Sequence, residues 1–189
     1  MERSHKYLIK KENDKNQQIT DRESLEVYGI VGNPRRHDFL RPELHGLTSM
    51  RVITLLVIHC SAVRPDQRSS AKDIDKWHRE DRHYKCIGYH YVIRRDGTIE
   101  PGRPEWMVGA HCLNHNAHSI GICYEGGLDI RGQPADTRTT EQKATMRQLL
   151  EELHERYPRA LIVGHRDLTH DRDCPCFDTV KAYADLQPK

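Results

Sequence analysis

The chain has 189 residues, 31% of them charged, and 30 Lys and Arg set against 28 Asp and Glu leave a formal charge of +2. Such a balanced surface gives no electrostatic case for a nucleic-acid partner, and the length allows one domain with an appendage. No apolar run approaches the ~18–20 residues of a membrane span, so no membrane insertion is expected.

Residues 1–49 are polar and aperiodic in KKENDKNQQITDRES and punctuated by Pro and Gly in NPRRHDFLRPELHG. They read as an N-terminal extension, appended or poorly ordered, ahead of a self-sufficient domain over residues 50–189. Within the extension, SLEVYGIVG is apolar enough to add a strand. The N-terminus lacks the 7–15-residue apolar region of a secretory signal, so the expected location is the cytoplasm.

From Val52 the pattern becomes regular. ITLLVIH is a continuous apolar run, as in a strand buried on both faces, and it ends at His59. Ser69 or Ser70 can cap a helix through about Glu80, with Ile74, Trp77 and His78 on one side. GYHYVIRRDGTIEPG alternates around an Asp96-Gly97 turn and predicts a hairpin. HSIGICYEG is a further strand. Thr139-Thr140-Glu141-Gln142 resembles a capping box, and Met146, Leu149, Leu150, Leu153 and Tyr157 follow at helical spacing until Pro158. RALIVGH predicts the next strand, and Asp178–Leu186 a last short helix. Strands alternate with helices without a G-x-G-x-x-G or P-loop signature, so the fold class is α/β with a mixed central sheet flanked by helices.

Six cysteines in this pattern do not make a disulfide scaffold and are read as thiols. Of thirteen histidines, most lie on polar segments; His115, His118 and His170 have no partner at diagnostic spacing, and His78 and His90 read as packing residues. His59 and His165 differ, because each directly follows an apolar strand and His165 is followed nine residues later by Cys174. Two histidines and a thiolate make a three-ligand set for Zn2+ with the fourth tetrahedral position open, the arrangement of a catalytic zinc. The H-x8-C spacing alone is not specific.

Five ordered blocks add specificity: VIHCSA, WHRED, IGYHYVIRRDGTIEPGR, VGAHCLNHNAHSIGICYEGG and GHRD…DCPCFD. In this order they resemble the zinc-dependent N-acetylmuramoyl-L-alanine amidases, on the branch of the phage amidase-type lysozymes and akin to animal peptidoglycan recognition proteins. The resemblance spans Ile53 to Leu186. It implies one zinc held by His59, His165 and Cys174, with Tyr89 as a catalytic tyrosine and His111 and Asn116 on the substrate groove wall. It also implies cleavage of the amide between the lactyl group of N-acetylmuramic acid and the L-alanine of the stem peptide. The groove is expected over the zinc-bearing end of the sheet. The substrate would be peptidoglycan or a muropeptide, the enzyme would act as a monomer, and the wall would be reached by lysis or assisted export.

Two positions depart from the family pattern. Arg172 stands where the phage enzymes carry a lysine two residues before the ligand cysteine. Arginine stays protonated, so it can stabilise an oxyanion but cannot shuttle a proton. Cys123 stands where some relatives carry a glutamate, and nearby Glu125 is not taken as a general base. The alternatives are a non-catalytic peptidoglycan-binding module and an amidase with a second role as a polymerase-binding regulator. Retention of Cys174 and Tyr89 favours the enzyme.

Overall fold

The computed structural model describes residues 51–169 and 171–189. The N-terminal extension, its SLEVYGIVG stretch and His170 lie outside the described residues.

The ITLLVIH run forms β1, Leu55–Cys60, buried at all six positions. Such a strand needs neighbours on both edges. It has β4, Ser119–Tyr124, on one side and β5, Leu161–Gly164, on the other, both parallel to it. The predicted hairpin is β2, Tyr91–Ile93, paired antiparallel with β3, Ile99–Pro101. Because β2 runs parallel to β4, the sheet is mixed, in the order β3-β2-β4-β1-β5.

Side chains alternate across β1 and divide the core between the two faces. Leu56, Ile58 and Cys60 point into the larger core, with Ile120, Ile122, Tyr124 and Ile162. Helix α2, Thr140–Arg156, covers that face with Met146, Leu149, Leu150 and Leu153. It begins at the predicted box: the Thr139 hydroxyl accepts from the Gln142 amide, and the Gln142 side chain accepts from the Thr139 amide. On the other face α1, Ala71–Glu80, buries Ile74 against Ile87, Val92 and Cys123. Its cap is Ser70, in a reciprocal box with Asp73.

Between β5 and the C-terminus the chain departs from the expected single helix. A four-residue helix, α3, His165–Leu168, starts immediately after β5, and the predicted Asp178–Leu186 helix is broken. It consists of α4, Thr179–Ala182, and a 3₁₀ turn, Ala184–Leu186. Tyr183 between them leaves helical geometry at φ −125°. There it is buried against Phe177, and its hydroxyl accepts from Arg138.

Candidate metal centre

Strand register brings the two predicted histidines together. In the β1–β5 ladder Ile58 stands opposite Gly164, so His59 and His165, each one residue further, meet at the carboxyl ends of adjacent parallel strands. Their rings are 4.6 Å apart. Ligand sites in open α/β sheets commonly form at this end. Cys174 arrives from the connection after α3. The Arg166 amide donates to the Cys174 carbonyl at 2.7 Å, the Tyr124 hydroxyl to the Pro175 carbonyl at 2.6 Å, and the Cys60 amide to the Cys174 sulfur at 3.3 Å. The Cys174-Pro175 peptide is cis.

One ligand atom from each of His59, His165 and Cys174 lies within 4.8 Å of the other two. His59 Nδ1 is 3.8 Å from the Cys174 sulfur, against about 3.6 Å for the N–S edge of a tetrahedron with ordinary Zn–N and Zn–S bonds. Both imidazoles are kept neutral, as ligands must be. Burial pushes the His59 pKa well below its usual range, and the positive charge of Arg172 adds to this. Burial and then Arg172 bring His165 down to about 4. Two neutral imidazoles beside a thiol fit zinc by donor type and spacing.

The hydrogen bonds on the far side of His59 fix which nitrogen can ligate. His59 Nε2 lies 3.0 Å from His111 Nδ1. With Nδ1 facing Cys174, the proton of His59 belongs on Nε2 and is donated to His111. His111 then carries its own proton on Nε2, 3.3 Å from the Ser119 hydroxyl, which donates onward to the His115 carbonyl at 2.7 Å. This chain orients the ring and sets its tautomer, the usual service of a partner behind a metal-bound histidine. Gly121 makes room for it: a Cβ there would stand 2.5 Å from the His111 ring.

Sequence reasoning expected His111 and Asn116 on the groove wall, and the structure gives their polar atoms other partners. Both ring nitrogens of His111 face protein groups. Asn116 is 5% exposed, and its Oδ1 accepts from the amides of His111 and Cys112. It braces the turn that carries His111. The support chain through His111 and Ser119 was not found from the sequence, because 52 residues separate His59 from His111. His115 and His118, read as unpartnered, lie with Nδ1 and Nε2 3.4 Å apart across a 3₁₀ turn, where residues i and i+3 eclipse.

Tyr89 packs beside the candidate ligands, its ring 5.1 Å from His59 and 5.4 Å from His78. Burial raises its pKa well above the usual value, and the thiols of Cys123, Cys174 and Cys60 add to that, so the phenol keeps its proton. The charge of Arg172 contributes to the lowered pKa of both candidate ligand histidines. The Arg172 Nε is shielded from solvent, makes no hydrogen bond among the described residues, and lies 3.7 Å from the Asp171 carboxylate. Glu125 is 2% exposed and accepts from Ser69, Arg94 and Arg95. Burial alone would raise its pKa, but those bonds outweigh it and hold the carboxyl below its ordinary value. It serves as an anchor.

Comparison with known proteins identifies the family. Residues 49–177 match the family model Amidase_2, described as N-acetylmuramoyl-L-alanine amidase. The endolysin of Enterobacteria phage K11 is 39% identical over 121 residues, covering 64% of this chain and 79% of that protein. The endolysin of Escherichia phage T7 is 38% identical, covering 65% and 80%. Among solved structures, the N-acetylmuramoyl-L-alanine amidase LysC from Clostridium intestinale superposes with a TM-score of 0.62 at 29% identity, covering 74% of this chain and 88% of that one. The chain belongs to the Amidase_2 family and is a peptidoglycan hydrolase, an N-acetylmuramoyl-L-alanine amidase that cleaves between N-acetylmuramic acid and the L-alanine of the stem peptide.

Proposed function

We propose that the reaction runs at one zinc ion held by His59 Nδ1, His165 and Cys174. The observation that carries this is the convergence of two neutral imidazoles and one thiol at the strand ends, with His111 fixing the His59 tautomer. Bound there, zinc would supply Lewis acidity, lowering the pKa of a water toward ~7 and polarising the lactyl carbonyl.

The chain's own residues supply the rest. Tyr89, kept neutral by burial, donates its phenol proton in a hydrogen bond to the oxyanion that forms as the carbonyl is attacked. A well-placed donor of this kind is worth about 2.7–4 kcal/mol in the transition state. Arg172, whose Nε lies 3.7 Å from the Asp171 carboxylate, adds a permanent positive charge that favours the developing oxyanion. The departing L-alanine amine must take a proton, from Tyr89 or from a water. Glu125 takes no part, its carboxylate being consumed by Arg94, Arg95 and Ser69.

The substrate we propose is cell-wall peptidoglycan, attacked by a monomer that reaches it by lysis or assisted export. The naming of the phage relatives as endolysins supports this reading. Among the described residues no helix is long and apolar enough to cross a membrane. The test is mass spectrometry of purified sacculi and, separately, of anhydro-muropeptides after incubation with the enzyme. Stem peptides with a free L-alanine amine released from sacculi support it. Release from soluble muropeptides alone would replace the wall with a recycling substrate, and binding without release would replace the enzyme with a recognition module.

A further inference from the structure

Two cysteines beside the metal centre have no part in the mechanism above. Cys60 directly follows His59, and Cys176 lies two residues past Cys174. Their sulfurs are 3.7 Å apart, and both are thiols. Gly127 borders them at φ +99°; a Cβ there would stand 2.5 Å from the Cys60 sulfur and 3.6 Å from that of Cys176. A side chain at this position would collide with the thiols, and glycine leaves the pair in contact. Cys60 is buried whereas Cys176 is partly exposed, so an oxidant from solvent meets Cys176 first.

We propose that Cys60 and Cys176 form a redox site, converted by hydroperoxides to a disulfide that weakens the neighbouring zinc site. In the first step the Cys176 sulfur attacks one oxygen of hydrogen peroxide and the O–O bond breaks, giving a sulfenic acid, while the leaving hydroxide takes the Cys176 thiol proton and departs as water. In the second the Cys60 sulfur attacks the sulfenic sulfur, the S–S bond forms, and the hydroxyl leaves as water with the Cys60 proton. Two thiols and one peroxide become one disulfide and two waters. A dithiol reverses it by exchange.

Closing the bond brings the sulfurs from 3.7 Å to about 2.05 Å. Both backbone segments that must move hold a zinc ligand. The Cys60 amide donates to the Cys174 sulfur, and the Cys176 amide closes the turn over Cys174 by donating to the Asp173 carbonyl. Displacement on the ångström scale in a constellation of this kind costs about 10²-fold in rate. This consequence rests on the ligation proposed above; formation of the disulfide does not.

The experiment treats the full-length, zinc-loaded protein with graded hydrogen peroxide. It reads three quantities: a peptide map under alkylation, zinc release to a chromogenic chelator, and stem-peptide release. Expected are a Cys60–Cys176 crosslink lighter by two hydrogens, zinc release accelerated about tenfold or more, and recovery of both with dithiothreitol and added zinc. Cys176→Ser should match the reduced wild type in activity and hold its zinc at the same peroxide dose. A map showing no crosslink between these two cysteines would overturn the proposal. So would a crosslinked protein that releases zinc no faster than Cys176→Ser. A reduced protein that never holds zinc would sink the ligation reading instead, and the peptide map would still decide the thiol pair.

Discussion

Arg51 is expected to carry an unusual share of the domain's stability. Its guanidinium donates to the carbonyls of Met107 and Ser119 at 2.6 Å and of Glu105 and Asn116 at 2.8 Å. These four acceptors, and the Ala117 carbonyl that accepts from Nε at 3.2 Å, lie within residues 105–119, the stretch that also carries His111. At about 1 kcal/mol net per bond the four sum to about 4 kcal/mol. Water reaching the vacated, half-buried carbonyls returns part of this, leaving a cost of about 3 kcal/mol for Arg51→Ala. In a domain of this size that lowers Tm by about 10 °C. The same reasoning separates two truncations. Met50–Lys189 keeps Arg51 and should melt within a few degrees of the full chain, whereas Ile53–Lys189 loses it and should fall with Arg51→Ala. Thermal unfolding by circular dichroism compares the four proteins. A drop smaller than about 3 °C for Arg51→Ala, or equal melting of the two truncations, would refute the carbonyl cage as a source of stability.

Other expectations concern the site. Tyr89→Phe should lower kcat by about 10²-fold or more with zinc content and KM little changed; near-wild-type turnover would remove the phenol from the transition state. His111→Ala leaves the His59 Nε2 proton without its acceptor and should weaken zinc binding about 10–100-fold, read by competition with a calibrated chelator. Unchanged affinity would show that the His111–Ser119 chain does not hold the ligand. His90 accepts from the Gly121 amide at Nδ1 and therefore donates from Nε2 to the Met107 carbonyl. Burial lowers its pKa to about 3, and that of His78 to about 4. Below about pH 6.5 the unfolded chain takes up protons that these folded histidines refuse, so stability falls with pH, by about 1.4 kcal/mol per pH unit from His90 alone. NMR of the labelled imidazoles should find His90 neutral and protonated at Nε2 down to pH 4; protonation near pH 6 would contradict this.

Most of the sheet was legible because its central strands are long apolar runs, and a strand buried on both faces leaves no other pattern. The boxes at Ser70 and Thr139 set both long helices for a local reason, a side chain three residues from the amide that it serves. The C-terminal segment was less legible. TVKAYADL reads as one helix, yet tertiary contacts of Tyr183 with Phe177 and Arg138 break it. The clustering of His59, His165 and Cys174 was legible in strand ends and ordered motifs, whereas the hydrogen-bond partners of His111 and Asn116 were not. Their roles depend on which nitrogen or oxygen faces a neighbour in a folded loop, and no spacing encodes that.

The central claim is that His59, His165 and Cys174 hold the metal on which amide cleavage depends. Its most direct test is zinc per chain, by elemental mass spectrometry, in the wild type, Cys174→Ser and Cys176→Ser, with stem-peptide release measured on the same samples. The account predicts one zinc and full release for the wild type and Cys176→Ser, and loss of both for Cys174→Ser. Zinc retained by Cys174→Ser, or depleted from Cys176→Ser in its place, would contradict it.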